Sequence, residues 1–110
     1  MSTVTTHVLD TMLGLPAAGV PVRLERAEGG EPLAQAVTDT DGRVRDFGPD
    51  ALPPGTYRIT FDTATYFAHS ARPSFYPEVA ITFQIDATPA AHYHVPLILS
   101  PFAYSTYRGS

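Results

Sequence analysis

The sequence predicts an all-β fold, two antiparallel sheets packed as a sandwich, with a barrel as the second choice. Three observations point there. Apolar residues recur at every second position in several short segments, the rhythm of half-buried strands. Eleven prolines and eight glycines punctuate the chain into those segments. Eight short strands with turns between them can be counted along its length, too many for a single sheet of this size.

Thr5 to Asp10 reads as the first strand, closed by a turn from Gly14 to Pro16. Val20, Val22 and Leu24 alternate with polar or ring-constrained neighbours in a second strand, which the Gly29-Gly30 pair ends. Leu33 to Thr38 makes a third, Asp39, Asp41 and Gly42 a turn, and Val44 to Phe47 a short fourth. After Leu52-Pro53-Pro54-Gly55, the apolar residues Tyr57, Ile59 and Phe61 mark the fifth. Asp62 to Ser70 breaks the alternation. Asp62 or Thr63 can cap a helix there, and Ala64, Phe67 and Ala68 fall at helical spacing. A loop follows, then a strand over Val79, Ile81, Phe83 and Ile85, a seventh from His92 to Leu99, and an eighth from Ala103 to Tyr107.

A chain of 110 residues is expected to form one domain, residues 1–110. Its formal charge of −4, with no basic run, gives no electrostatic footprint for nucleic acid or an anionic membrane. All seven basic residues are arginines, so Schiff-base and P-loop lysine chemistries are excluded. Without cysteine there is no disulfide, thiol nucleophile or iron–sulfur cluster. No secretory leader or membrane-length apolar run is legible, and the reading is a cytoplasmic protein.

The residues that could carry chemistry lie on strands whose two faces differ. Alternation puts His92, His94, Pro96 and Ile98 on one face of the seventh strand, and Tyr93, Val95, Leu97 and Leu99 on the other. The second set suits a core; the first, part imidazole and part apolar, suits a pocket or a subunit interface. His7 sits likewise between Thr5 and Leu9. Arg43 follows Asp41-Gly42 at the exit of a turn, where a guanidinium can be aimed into a cleft to hold a planar anion or steady an oxyanion. Each also has a plainer reading as a hydrogen-bonded strand histidine or a solvated arginine. The His-x-His spacing offers two metal ligands on one face, but no completing motif follows, so no metal is expected. Nucleophile-elbow, phosphate-loop, dinucleotide and zinc-protease motifs are all missing from the sequence.

The stretches THVLDTMLGLPA (residues 6–17), TDTDGRV (38–44) and HYHVPLILSPFAYSTYRGS (92–110) closely resemble the transthyretin-like family, in its hydrolase branch. The terminal Tyr107-Arg108-Gly109-Ser110 is the most specific part, because the hormone-carrying branch lacks it. The resemblance implies a prealbumin-like sandwich of two four-stranded sheets with one short helix. It also implies a homotetramer, a dimer of dimers, with a channel lined by the mixed strand faces. The family's catalytic positions fall on His7, Arg43, His94 and Ser110, and Tyr107 joins them against the substrate. His92 matches the motif without an assigned role, and Leu15 stands where basic residues are common in the family.

The activity implied is hydrolytic ring opening of 5-hydroxyisourate, a product of urate oxidation, with no metal, nucleotide or organic cofactor. A histidine with an unperturbed pKa of ~6.5 suits the base that takes the proton from water. The sequence does not choose between His7 and His94. Two other classes compete. A carrier of a small aromatic molecule would still bind its ligand after deletion of residues 107–110, whereas a hydrolase would lose turnover. A structural β-module would be a monomer or filament without a channel.

Overall fold

The structure is a computed structural model and describes residues 3–87 and 92–109. Among these, the chain forms nine strands and one helix: β1 (Val4–Asp10), β2 (Leu15–Pro16), β3 (Pro21–Arg26), β4 (Ala34–Val37), β5 (Arg43–Val44), β6 (Gly55–Phe61), α1 (Thr63–His69), β7 (Val79–Ile85), β8 (Tyr93–Ser100) and β9 (Ala103–Thr106). They make two sheets. One runs β2-β1-β8-β9, with β5 also paired to β1, and the other runs β4-β3-β6-β7. None of the described helices is long and apolar enough to cross a membrane.

The alternation in the sequence becomes the inner faces of both sheets. Val4 and Val8 of β1, Leu24 of β3, Ile59 and Phe61 of β6, Ile85 of β7, and Leu97 and Leu99 of β8 are at most 1% exposed. Burying a side chain of this size stabilises the fold by about 1.5–3 kcal/mol relative to leaving it in water. The one polar residue β1 places between its valines, Thr6, donates its hydroxyl to the Val95 carbonyl at 2.6 Å, so its burial leaves nothing unpaired.

Three features correct the sequence reading. First, the sheet carrying the histidines has five strands, and its central pair, β1 and β8, runs parallel rather than antiparallel. Period-two alternation is blind to strand direction, and no hairpin joins these two strands to fix it. Second, Leu15–Pro16, expected as a turn, is a short strand against Leu9 and Asp10, while β5 pairs only with Thr6 and His7 and stops at Val44. Two short strands share one edge of β1, which leaves no ladder for Arg45 to Phe47. Phe47 is buried nonetheless, at 1% exposure. Third, α1 buries Thr63 and Phe67, whereas Ala64 and Ala68 are exposed. The expected cap is present: the Asp62 carboxylate accepts the Thr65 backbone N–H at 3.1 Å. Thr63 faces inward, where its hydroxyl donates to the Tyr76 carbonyl at 2.6 Å.

A buried polar cluster ties α1 and the loop after it to the end of β1. Asp10 is 1% exposed and accepts from the Tyr66 hydroxyl at 2.7 Å and from Arg72 at 2.5 Å. The Arg72 guanidinium lies over the rings of Phe67 and Tyr66, at 5.0 and 5.7 Å from their centroids. Burial pushes the Asp10 carboxyl up, but the hydrogen bonds from Arg72, Tyr66 and Leu13 outweigh it and hold the group below its ordinary 3.8. Burial and the Asp10 carboxylate together push the Tyr66 phenol up to about 12.

Candidate active site on the outer face of the parallel pair

The parallel register of β1 and β8 sets Thr5 opposite His94, His7 opposite Pro96 and Leu9 opposite Ile98. Partners in register share a face, so Thr5, His7, Leu9, His94, Pro96 and Ile98 form one outer surface while their neighbours fill the core. On the other side of β1, the antiparallel pairing with β5 sets Arg43 opposite His7. Three separated segments thereby bring His7, Arg43 and His94 onto a single patch. All three are half-buried.

Arg43 is aimed by the turn before it. The Asp39 carboxylate accepts the backbone N–H groups of Asp41 at 2.8 Å and Arg43 at 3.0 Å, and the Asp39 N–H returns a bond to the Arg43 carbonyl at 3.0 Å. Gly42 makes the turn possible. Its φ is +74°, and a methyl group there would lie 2.4 Å from the Val8 carbonyl oxygen. The neighbouring Arg45 occupies both aspartates, with contacts of 2.7 Å to Asp39 and 3.3 Å to Asp41. Among the described residues this leaves the Arg43 guanidinium without a carboxylate partner, so its charge is available to an anionic ligand.

That charge also acts on the two imidazoles. Burial, then Arg43, lowers the pKa of His7 below 6.5, against a hydrogen bond with the Asp41 backbone that raises it. Burial, then Arg43, His92 and His7, lowers that of His94. Both rings are therefore biased toward the neutral form, the one able to accept a proton.

His94 is held on two sides by residues whose part the sequence reading did not assign. The Thr5 hydroxyl lies 2.8 Å from Nδ1 of His94 and 2.8 Å from Nε2 of His92, and the two rings stack with centroids 6.4 Å apart. From the other side comes the end of the chain. The Gly109 N–H donates to the His94 carbonyl at 2.8 Å, and a methyl at Gly109 would sit 2.4 Å from Cδ2 of the ring. The Thr106 hydroxyl donates to the Pro96 carbonyl at 2.7 Å. The tail thus covers Pro96, which is buried although it belongs to the mixed face. A threonine two positions before His7 and a glycine next to the last residue were the available signals, but neither identifies its partner without the register.

Tyr107 is 58% exposed and lines, with Arg108, Tyr93, His94, Phe83 and Thr106, a cleft of about 320 Å³ at the edge of the sandwich. Arg108 lies over the Tyr93 ring at 4.7 Å. Tyr107 is therefore placed beside His94 by the tail, without a described contact to His7 or Arg43. Ser110, expected in the same site, lies outside the described residues. No three metal-ligating side chains cluster among the described residues, so the His92–His94 pair lacks a completing ligand there.

The outer-face constellation is accompanied by similarity over nearly the whole chain. The profile of the HIUase/Transthyretin family matches residues 4–109. A 5-hydroxyisourate hydrolase of Salmonella typhimurium is 46% identical over 107 residues, spanning 94% of this chain and 78% of that protein. The structure of Klebsiella pneumoniae 5-hydroxyisourate hydrolase superposes with a TM-score of 0.87 at 44% identity, covering 100% of this chain and 94% of the other. The crystal structure of transthyretin from Sparus aurata gives a TM-score of 0.89 at 29% identity, covering 99% and 97%. Similarity spanning both sheets and the tail that closes over Pro96 leaves one assignment: the chain belongs to the HIUase/Transthyretin family.

Proposed function

We propose that this chain hydrolyses 5-hydroxyisourate to 2-oxo-4-hydroxy-4-carboxy-5-ureidoimidazoline, a step of urate degradation, on the outer patch formed by His7, Arg43 and His94. The observation that carries this reading is a guanidinium without a described carboxylate partner, set in register beside two imidazoles biased toward neutrality. Hydrolytic ring opening asks for those three functions. One imidazole takes the proton of the attacking water as the C–O bond forms, and the proton is given back to the ring nitrogen as the C–N bond breaks. Arg43 holds the planar anion and the oxyanion that develops on it. Tyr107 lines the cleft beside His94, and the resemblance adds Ser110 to the same site.

The proposal includes a homotetramer, a dimer of dimers, whose channel this face lines. Two features support it. Leu9 and Ile98 add half-buried apolar side chains to the face, and Met12, Leu13 and Leu15 beside it are 62%, 52% and 58% exposed. In addition, β7 and β9 are the last strands of their sheets, with outer edges unpaired among the described residues. Native mass measurement should give four chains per particle, and a monomer would remove the channel.

The primary test is the ultraviolet absorbance decay of freshly generated 5-hydroxyisourate. Wild-type protein should accelerate the decay, and His94→Ala should abolish most of the acceleration. A protein that binds the compound without accelerating its decay would be a carrier. The pH profile offers a second reading. Because His7 and His94 both lie below 6.5, the acid limb of kcat/KM should have its midpoint below 6.5. The same shift has a stability sign. The unfolded chain takes up protons first as pH falls through 6.5, so the fold loses stability progressively between 6.5 and the lower folded values and does not regain it below them. An acid limb centred above 6.5 would contradict the assignment of these imidazoles as the titrating pair.

A further inference from the structure

The hydroxyl of Thr5 stands between two ring nitrogens and has only one proton to give. It lies 2.8 Å from Nδ1 of His94 and 2.8 Å from Nε2 of His92. The hydroxyl has one proton and two acceptor lone pairs, so both rings can also donate to it; two arrangements use the Thr5 proton within the cluster. In the first, Thr5 accepts from an N–H on Nδ1 of His94 and donates to the lone pair on Nε2 of His92. In the second, both bonds run the other way. They differ in what His94 presents on its remaining nitrogen. The first leaves a lone pair on Nε2. The second puts a proton there, and the ring could then take up another proton only by breaking its bond with Thr5.

We propose that Thr5 is a positioning residue that holds His94 in the Nδ1-protonated tautomer, with His92 as the acceptor that orients the Thr5 hydroxyl, so that Nε2 of His94 is the base. The inference rests on the hydrolase reading of the site and deepens it by choosing between the two histidines. In the first step a water O–H bond breaks, its proton goes to Nε2, and the oxygen bonds to the ring carbonyl carbon. In the second the ring C–N bond breaks and the same proton passes from Nε2 to the departing nitrogen. The Nδ1–H bond to Thr5 is kept in both protonation states of His94, so the network needs no rearrangement during turnover. Such a chain of base, orienter and second orienter follows the logic by which a histidine base is held in one tautomer elsewhere. His7, set opposite Arg43 on the other side of β1, is left to bind substrate.

The two histidines, one just before β8 and one within it, fit this arrangement. His92 and His94 recur at every second position because a parallel neighbour places one threonine opposite the second of them, within reach of both.

The test compares Thr5→Val, which keeps the shape and removes the hydroxyl, with Thr5→Ser, which keeps the hydroxyl. Both are measured beside His94→Ala, with tautomers read from ring ¹⁵N shifts at a pH where both histidines are neutral. Wild type should show His94 protonated on Nδ1. Thr5→Val should lower kcat about tenfold or more, within the range of a general-base contribution, leave KM within about twofold, and give a mixed His94 tautomer; Thr5→Ser should restore both readouts. The inference is overturned if wild-type His94 carries its proton on Nε2, if Thr5→Val keeps full kcat, or if Thr5→Ser fails to rescue. If His94→Ala itself keeps wild-type turnover, the hydrolase site has been placed wrongly, which is a separate failure.

Discussion

Arg43→Ala is expected to lower kcat/KM for 5-hydroxyisourate by on the order of 10²–10³, the effect of removing one oxyanion donor, while melting within about 0.5 kcal/mol of wild type, as surface changes do. The fold does not need the side chain. Arg43 is half-buried, has no carboxylate partner among the described residues, and is placed by backbone bonds to Asp39 that an alanine would keep. The proposed chemistry asks for it, and among the described residues no other arginine is in register beside His7. Arg43→Lys should recover little, since an ammonium cannot reproduce the planar, two-pronged grip on an anion. A second readout separates loss of charge from loss of shape. Arg43 is one of the causes that lower both histidines, so the acid limb of the alanine variant should move upward toward 6.5. Turnover within about threefold of wild type would remove Arg43 from the oxyanion role, whose loss is normally far larger.

Much of this site was legible in the sequence because it depends on periodicity. The alternation of His92, His94, Pro96 and Ile98 with Tyr93, Val95, Leu97 and Leu99 fixes two faces whatever the strand pairs with, and the structure keeps those faces. Arg43 was legible for a similar local reason, since Asp41-Gly42 marks a turn and the residue after a turn starts with a defined direction. The resemblance of the termini to a known family then joined His7, Arg43 and His94, which pattern alone left apart.

What the sequence could not disclose depends on register between distant segments. Thr5 lies 89 positions from His94, and only the parallel pairing of β1 with β8 makes its hydroxyl a ring partner. Gly109 belongs to the tail signature in the sequence, but only the structure sets its N–H against the His94 carbonyl, with no room for a side chain beside the imidazole. The turn expected at Gly14 to Pro16 became a strand for the same kind of reason. Gly14 adopts a φ of +69° and returns the chain onto the free edge of β1, a choice made by the edge and not by Leu15 or Pro16.

The second large effect is on stability, at a cluster separated from the outer patch by the thickness of β1. Arg72→Met should destabilise the protein by about 3–5 kcal/mol, the cost of leaving a buried charge without its partner. The Asp10 side chain is 0% exposed and that of Arg72 13% exposed, so water can do little to replace the lost guanidinium. The cost should fall toward the lower end of that range because the Tyr66 hydroxyl and the Leu13 N–H still donate to Asp10. At about 4 °C or more per kcal/mol, the melting temperature should drop by roughly 12 °C or more. The pH dependence distinguishes this cause from lost packing. In wild type, Asp10 is held below 3.8, so its contribution is present above 3.8 and is lost as pH falls through the lower folded value. In the variant the Asp10 carboxyl loses the lowering by Arg72 and lies higher than in wild type, so acid takes less stability from the variant than from wild type. The gap between the two proteins should therefore narrow as pH is lowered. Asp10→Asn combined with Arg72→Met should recover part of the loss, because the charge that lacked a partner is gone. A gap that stays constant from neutral pH to below 3.8, or a double variant no better than Arg72→Met, would mean that Arg72 acts through its stacking on Phe67 and Tyr66 and not through its charge.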